Sequence, residues 1–175
     1  METPKLTKER IAEFLTNGKR FDDRGLDSYR EIQIEVGISN MAEGSARVRL
    51  GKTEVIVGIK MDVMEPFSDH PNEGVLITSA ELLPTSSSKY ELGPPKIDAI
   101  EMARIVDRGI RESGFIDFKK LCIKEGEKVW SVFIDLYSLN DDGNLLDAFA
   151  LAALAALKHA KIPKYDEKSD KVVYG

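Results

Sequence analysis

Three arginines within residues 97–114, Arg104, Arg108 and Arg111, are the part of this sequence best suited to binding chemistry. Their i, i+4 and i+7 spacing places them on one face of a predicted helix. A guanidinium group presents a planar fork of donors that matches phosphate oxygens, and it keeps its charge at any physiological pH. The stretch therefore predicts a cationic face that can hold phosphate groups.

The same spacing is also typical of an ordinary solvated helix. Glu101 lies three residues before Arg104, and Asp107 lies four before Arg111. Such pairs contribute only tenths of a kcal/mol, and from spacing alone the solvated face is the favoured interpretation. In either case the helix needs an apolar face to dock on a core. The candidates for that face are Ile97, Ile100, Ala103, Ile105, Val106 and Ile110.

Alternating apolar and polar residues predict the sheet on which this helix packs. The predicted strands span residues 32–38, 45–50, 53–64, 75–83, 121–123 and 129–139. Gly51-Lys52 reads as a two-residue hairpin turn, and the short links between the early strands favour antiparallel pairing over βαβ units. A short N-terminal helix should end before Gly18, and a helix over residues 144–160 is apolar almost all round and should be buried.

Composition narrows the class of protein. With 175 residues and 42% hydrophobic content the chain fits one domain with a real core, and its net charge of −5 gives no global attraction for nucleic acid. Cys122 is the single cysteine, so no disulfide framework or thiolate zinc site is expected, and an intracellular, cytoplasmic location is the default. The longest apolar run, residues 148–157, is too short to span a bilayer.

Two further segments contain groups that could do chemistry. The turn of residues 141–148 leads into the buried helix, and a glycine at a helix start can cradle phosphate. Asp141, Asp142 and Asp147 surround Gly143, however, and should repel an anion and cap the helix themselves. One loop contains Glu65, Asp69, His70 and Glu73. Their spacing matches no defined metal site, so a solvated loop is favoured.

Five collinear stretches within residues 20–163 carry a family resemblance. They read FDDRGLDSYREI, GSARVRLGKTEVIVGIK, PNEGVLITSAELLP, GPPKIDAIEMARIVDRGIRES and KVWSVFIDLYSLNDDGNLLDAFALAALAAL. Together they resemble the RNase PH-like proteins, and within them the non-catalytic ring subunits of the archaeal exosome. One departure is Asp22-Asp23-Arg24, where the family has Asp-Gly-Arg.

The resemblance implies an α/β fold of the α+β type, with a mixed, mainly antiparallel sheet and packed helices. It implies one RNase PH-like domain over residues 1–163, followed by a polar tail or the start of a second half over residues 164–175. The rest of that second half is missing after Gly175. An exposed sheet edge and the missing half would need covering, which favours a hetero-oligomer.

The resemblance also implies a ring of three heterodimers, each pairing a phosphorolytic 3′–5′ exoribonuclease subunit with one like this chain. RNA-binding cap proteins and single-stranded RNA are further implied partners, and no membrane is involved. Active members hold phosphate with hydroxyl residues and an arginine, which residues 143–147 lack, so no catalytic residue, cofactor or metal is implied here. Arg104 and Arg108 match RNA-contacting positions, whereas Arg111 matches less closely and can pair with Asp107.

Two alternatives stay open. The chain could be an active phosphate-dependent 3′–5′ exoribonuclease, which would need a hydroxyl or an arginine at the Gly143 turn, where Asp147 argues against it. It could also be a small-molecule enzyme on a related α/β fold. That would need a polar pocket with acid–base residues, and the sequence shows no such constellation.

Overall fold

A computed structural model describes residues 5–20, 22–167, 169 and 171–174, and the chain divides into two compact units. The first runs up to Glu31 and contains helix α1 (Lys5–Thr16), in which no residue is buried. Gly18, at a φ of 69°, follows the end of this helix as predicted. The second unit begins at Ile32 and contains the sheet and the other helices.

The main sheet has six strands in the order β1–β2–β3–β6–β4, with β5 paired to β6. These strands are β1 Ile32–Val36, β2 Gly44–Leu50, β3 Thr53–Met64, β4 Val75–Leu82, β5 Cys122–Lys124 and β6 Lys128–Asn140. All neighbouring pairs are antiparallel except β4 and β6, which are parallel. The prediction of a mixed, mainly antiparallel sheet is confirmed. β6 lies between β3 and β4 although it is the last of these six strands in the sequence.

Gly51 makes the predicted turn between β2 and β3 possible. Leu50 and Thr53 are paired directly across the turn, and Gly51 adopts a φ of 61°, which side chains with a Cβ rarely accept. The strand pattern and the turn chemistry therefore specify the same hairpin.

Helices α2 (Ile97–Ser113) and α3 (Leu145–His159) cover one face of the sheet. This face includes Val57, Ile134 and Leu136, none of which is accessible to solvent. α3 lies over β2 and β3 and presents mainly alanines to them, which allows its backbone to come close to the strands. A Cβ at Gly44 would overlap the Ala156 carbonyl oxygen. The prediction that this helix is buried is confirmed for the side that meets the sheet, whereas Leu154 on another side is 38% exposed.

The apolar row of β1 differs from its prediction. Ile32, Ile34 and Val36 alternate as expected of a half-buried strand, yet all five residues of β1 are exposed. The row lies opposite Leu50, Val48 and Ala46 of β2, which are buried. β1 is the outermost strand, and although α3 reaches it, the side chains of this row stay 44–49% exposed.

A second, two-stranded sheet follows α3 and was not predicted from sequence. It consists of β7 (Lys164–Asp166) and β8 (Lys171–Val173). Tyr165 meets Trp130 of β6 edge to face with ring centroids 6.5 Å apart, and the Tyr174 hydroxyl donates to the Met61 carbonyl at 3.3 Å. Within the predicted tail of residues 164–175, positions 168, 170 and 175 lie outside the described residues.

Candidate functional site

Arg104 and Arg108 lie one turn apart on α2, and both are exposed. In the described part of the chain neither side chain forms an ion pair or a hydrogen bond, and the Glu101–Arg104 pair that the spacing allows does not form. Two guanidinium groups are therefore available to a ligand without first breaking an intramolecular contact.

Arg111 is placed very differently. Its Nε lies 2.6 Å from Asp107 Oδ2, and its terminal nitrogen donates to the Leu76 carbonyl oxygen at 2.5 Å. Asp107 also accepts a hydrogen bond from the Thr78 hydroxyl at 3.1 Å. Leu76 and Thr78 belong to β4, the strand at the end of the sheet, so Arg111 fastens α2 to that edge. The side chain remains 43% exposed, but a carboxylate balances its charge.

The apolar face predicted for α2 is partly wrong. Ile97, Ile100 and Ile105 are 73%, 44% and 46% exposed. The helix instead buries a narrow stripe of Ala99, Ala103, Val106 and Ile110. Isoleucines occur on more than one side of this helix, and periodicity alone cannot tell which side meets the sheet. The outer face thus combines unpaired guanidinium groups with exposed isoleucines.

An open depression of about 770 Å³ lies over this outer face. Three arginines and two carboxylates line it, together with Ile105 and Gly109, so cations outnumber anions there; the charged residues are Arg104, Arg108, Arg111, Asp107 and Glu112. Gly109 is the one lining residue with no side chain, and a Cβ added there would meet nothing within 4 Å. A surface with cations beside apolar side chains suits a ligand that offers both anionic and apolar groups, such as a single nucleic-acid strand with its phosphates and bases.

The turn before α3 contains a second polar cluster. The Asp141 carboxylate is 6% exposed and lies 2.5 Å from Lys89 Nζ. The Tyr90 hydroxyl donates to the same carboxylate at 2.7 Å, and the Gly143 N–H donates to it at 3.0 Å. Asp141 was expected to cap α3, but its bond to Gly143 lies before the helix begins, and its other partners come from the loop after β4.

Ionisation of this cluster follows from its contacts. Burial opposes the charge on Asp141, but hydrogen bonds from Lys89, Tyr90 and the Gly143 N–H hold the pKa of this carboxyl below its ordinary value of 3.8. The hydrogen bond to Asp141 raises the pKa of Lys89. Burial, followed by the hydrogen bond to Asp141, raises the pKa of Tyr90. At neutral pH the cluster is an ammonium–carboxylate pair with a neutral phenol.

Neither a metal-binding cluster nor a membrane-spanning helix is found among the described residues. No group of three or more histidine, cysteine or carboxylate side chains there could hold a metal ion. His70 lies 3.4 Å from Glu73 and 3.8 Å from Asp69 in an exposed loop. In the same part of the chain, no helix has the length and apolar character needed to cross a bilayer.

Residues 28–163 match the model of the 3′ exoribonuclease family, domain 1, the RNase PH family. The chain therefore belongs to this family, and the family resemblance of the five sequence stretches is confirmed. Among its relatives is the exosome complex component Rrp42 of Methanocella arvoryzae, 53% identical over 158 residues. The protein of the same name from Methanothermobacter thermautotrophicus is 48% identical over 170 residues.

Two solved structures carry the same fold. A chain of the Archaeoglobus fulgidus exosome with RNA bound to the active site matches with a TM-score of 0.87 at 51% identity, over 90% of this chain and 62% of that one. A chain of an archaeal exosome core matches with a TM-score of 0.81 at 46% identity, over 97% of this chain and 64% of that one. The predicted RNase PH-like fold is confirmed.

This chain spans less than two thirds of the relatives that it matches. The alignment with the Methanocella protein covers 90% of this chain and 61% of the relative. With the Methanothermobacter protein the shares are 97% and 63%. The described surfaces therefore correspond to a part of those longer proteins.

Sequence reasoning found the arginines but missed the partners of Asp141. Lys89 and Tyr90 lie more than fifty residues earlier in the chain, and no local motif links them to the turn. The parallel pairing of β4 with β6 brings the segments after both strands together, and the Asp141 N–H donates to the Ser86 carbonyl at 3.0 Å. Only knowledge of the strand order would have revealed this contact.

Proposed function

We propose that this chain belongs to a non-catalytic ring subunit of an archaeal exosome. The subunit pairs with a phosphorolytic 3′–5′ exoribonuclease subunit in a ring of three heterodimers, to which RNA-binding cap proteins attach. It shapes the partner's active site and holds the single-stranded RNA beside it. Residues 1–163 form its first domain in this proposal, and residues 164–175 are a polar tail or the start of a second half. The cytoplasmic location stays a prediction from sequence.

The observation that carries this proposal is the pair of exposed, unpaired guanidinium groups of Arg104 and Arg108 on α2. A protein with a net charge of −5 leaves these two cations without a carboxylate partner among its described residues. Such cations position a phosphate backbone without reading its bases. Arg111 contributes less to RNA binding, because Asp107 already balances its charge. The names of the relatives, which are exosome components, agree with this role.

The turn before α3 supports the non-catalytic part of the proposal. Leu145 and Leu146 open the helix, and Leu145 is buried. Neither side chain can donate a hydrogen bond to phosphate. Asn144, at the N-cap position, makes no capping hydrogen bond with its side chain and donates instead to Asp147 at 2.7 Å. This end of α3 thus presents a carboxylate and apolar side chains.

The test is phosphate-dependent degradation of a single-stranded RNA by the full-length protein, alone and together with its phosphorolytic partner. Release of nucleoside diphosphates should occur only in the mixture. Arg104→Glu in the mixture should lower the rate at limiting RNA, because a carboxylate replaces a phosphate-binding cation. Lys52→Glu is the matched control, since it makes the same charge change at the exposed β2–β3 turn.

The results separate a non-catalytic subunit that holds RNA from an active exoribonuclease, and a specific effect of α2 from a general effect of charge. Nucleoside diphosphate release by the protein alone would overturn the non-catalytic role and establish the active exoribonuclease. Equal losses for Arg104→Glu and Lys52→Glu would show a general charge effect and remove the specific role of α2. Loss with Arg104→Glu alone supports the proposal.

A further inference from the structure

The side chains around Asp141 resemble an oxyanion-binding site in which the Asp141 carboxylate takes the place of the bound anion. Three donors converge on one carboxylate: the Lys89 ammonium at 2.5 Å, the Tyr90 hydroxyl at 2.7 Å and the Gly143 N–H at 3.0 Å. An ammonium, a hydroxyl and a backbone N–H are the groups that commonly bind phosphate or sulfate. Here all three are satisfied from within the chain.

The carboxylate is fixed more firmly than a surface ion pair. Asp141 is 6% exposed, and its own N–H donates to the Ser86 carbonyl at 3.0 Å. Ser86 is buried and shares a hydrogen bond with the Ser138 hydroxyl of β6 at 2.8 Å. Hydrogen bonds therefore hold both the backbone and the side chain of Asp141 in place.

We propose that Asp141 acts as a built-in anion that closes this donor cluster to inorganic phosphate and similar oxyanions. A phosphate entering here would have to displace a carboxylate already bound by three donors, against the repulsion of that same charge. The inference rests on the proposed non-catalytic function and deepens it. It names the residue that keeps inorganic phosphate out of the donor cluster beside the turn before α3.

The experiment measures phosphate and sulfate binding without RNA or a partner enzyme, on the full-length protein and its variants. Thermal unfolding is followed at increasing sulfate or phosphate, with potassium chloride at matched ionic strength as the reference. Asp141→Ala frees the three donors. Asp147→Ala is the control, because it removes an equal charge from the first turn of α3 without touching Lys89 or Tyr90. Sulfate stabilises most proteins non-specifically, so each variant is compared with the wild type at the same salt.

Asp141→Ala should gain a saturable rise in melting temperature of about 3–6 °C at an oxyanion concentration ten times its Kd. The wild type and Asp147→Ala should show no saturable rise. Adding Lys89→Met to Asp141→Ala should abolish the gain, since it removes the ammonium. If Asp141→Ala does not fold, Asp141→Ser, which keeps an oxygen for the Gly143 N–H, carries the same test.

Two results would overturn the inference, and they differ in what they say of the proposed function. Saturable phosphate binding by the wild type would remove the closing role of Asp141 and also favour an active exoribonuclease. A folded Asp141 variant that binds no oxyanion would remove the closing role alone and leave the non-catalytic subunit intact.

Discussion

The salt dependence of RNA binding measures how many of the three arginines on α2 neutralise phosphates. Each phosphate that a protein cation neutralises on a single strand adds about 0.7 to the slope of log K against log salt. Arg104 and Arg108 have no intramolecular ion partner among the described residues. Each should therefore contribute nearly the full value of about 0.7 to the slope. Arg104→Gln combined with Arg108→Gln should lower the slope by about 1.4.

That change in slope is large enough to measure. Between 50 and 200 mM salt, a slope difference of 1.4 means that the wild type loses about sevenfold more affinity than the double variant. Arg111→Gln should change the slope by less than either single substitution, because Asp107 lies 2.6 Å from the Arg111 Nε. The assay is fluorescence anisotropy of a labelled single-stranded RNA with the complex of both subunits, in buffer without phosphate so that no RNA is degraded.

Lys52→Gln provides the control, since it removes one exposed positive charge at a distant turn and should leave the slope nearly unchanged. An unaltered slope in the Arg104 and Arg108 double variant would refute the reasoning, because these two cations would then contact no phosphate. A slope change for Arg111→Gln equal to that for Arg104→Gln would show that the Asp107 pair does not withhold the charge of Arg111.

Three further predictions concern stability. Gly44→Ala should lower the free energy of unfolding by about 1–3 kcal/mol through overpacking, because a Cβ there would lie 2.7 Å from the Ala160 Cβ. Gly58→Ala, which has open space, should be neutral or stabilising, and equal urea midpoints for the two would contradict this account. A double-mutant cycle between Asp107→Asn and Arg111→Gln, an i,i+4 pair within α2, should give a coupling of about 0.5–1 kcal/mol, and a coupling of zero in urea unfolding would show that this ion pair does not stabilise the protein. The stability difference between wild type and Asp141→Asn should be complete above the ordinary pKa of 3.8 and shrink as the pH falls below it, because the folded-state pKa is depressed. Urea midpoints between pH 2 and 7 check this, and a difference that grows towards low pH would reverse the sign of the argument.

Helices and strands with a regular repeat of apolar residues were predictable from the sequence. The pattern of β3 alternates over twelve residues, and the arginine helix ends at Gly114, whose φ of 67° terminates it. Here local propensity and packing demand the same structure, so the sequence alone was sufficient.

The remaining features depend on which surfaces meet. The pattern of β1 correctly predicts a strand, but at the edge of the sheet the apolar row of Ile32, Ile34 and Val36 stays 44–49% exposed. On α2 the sheet selects the alanine-rich stripe, because small side chains let the helix approach β4. Such choices depend on tertiary contacts, which a single sequence does not display. The Asp141 cluster was missed for the same reason, since strand order brings its members together.

The central position of β6 has a consequence for how this protein is made. Val57 and Ala80 both pair with Leu136, so β3 and β4 are joined into one sheet only through β6, a strand synthesised after both. Until residue 140 has left the ribosome, each of these strands keeps an unpaired edge, and α2 has no finished surface to dock on. Assembly must therefore wait for a contact between distant parts of the chain, which slows folding. A polypeptide that stops before β6 would not form a smaller version of this sheet, but a β1–β3 meander and a separate β4 segment with open edges.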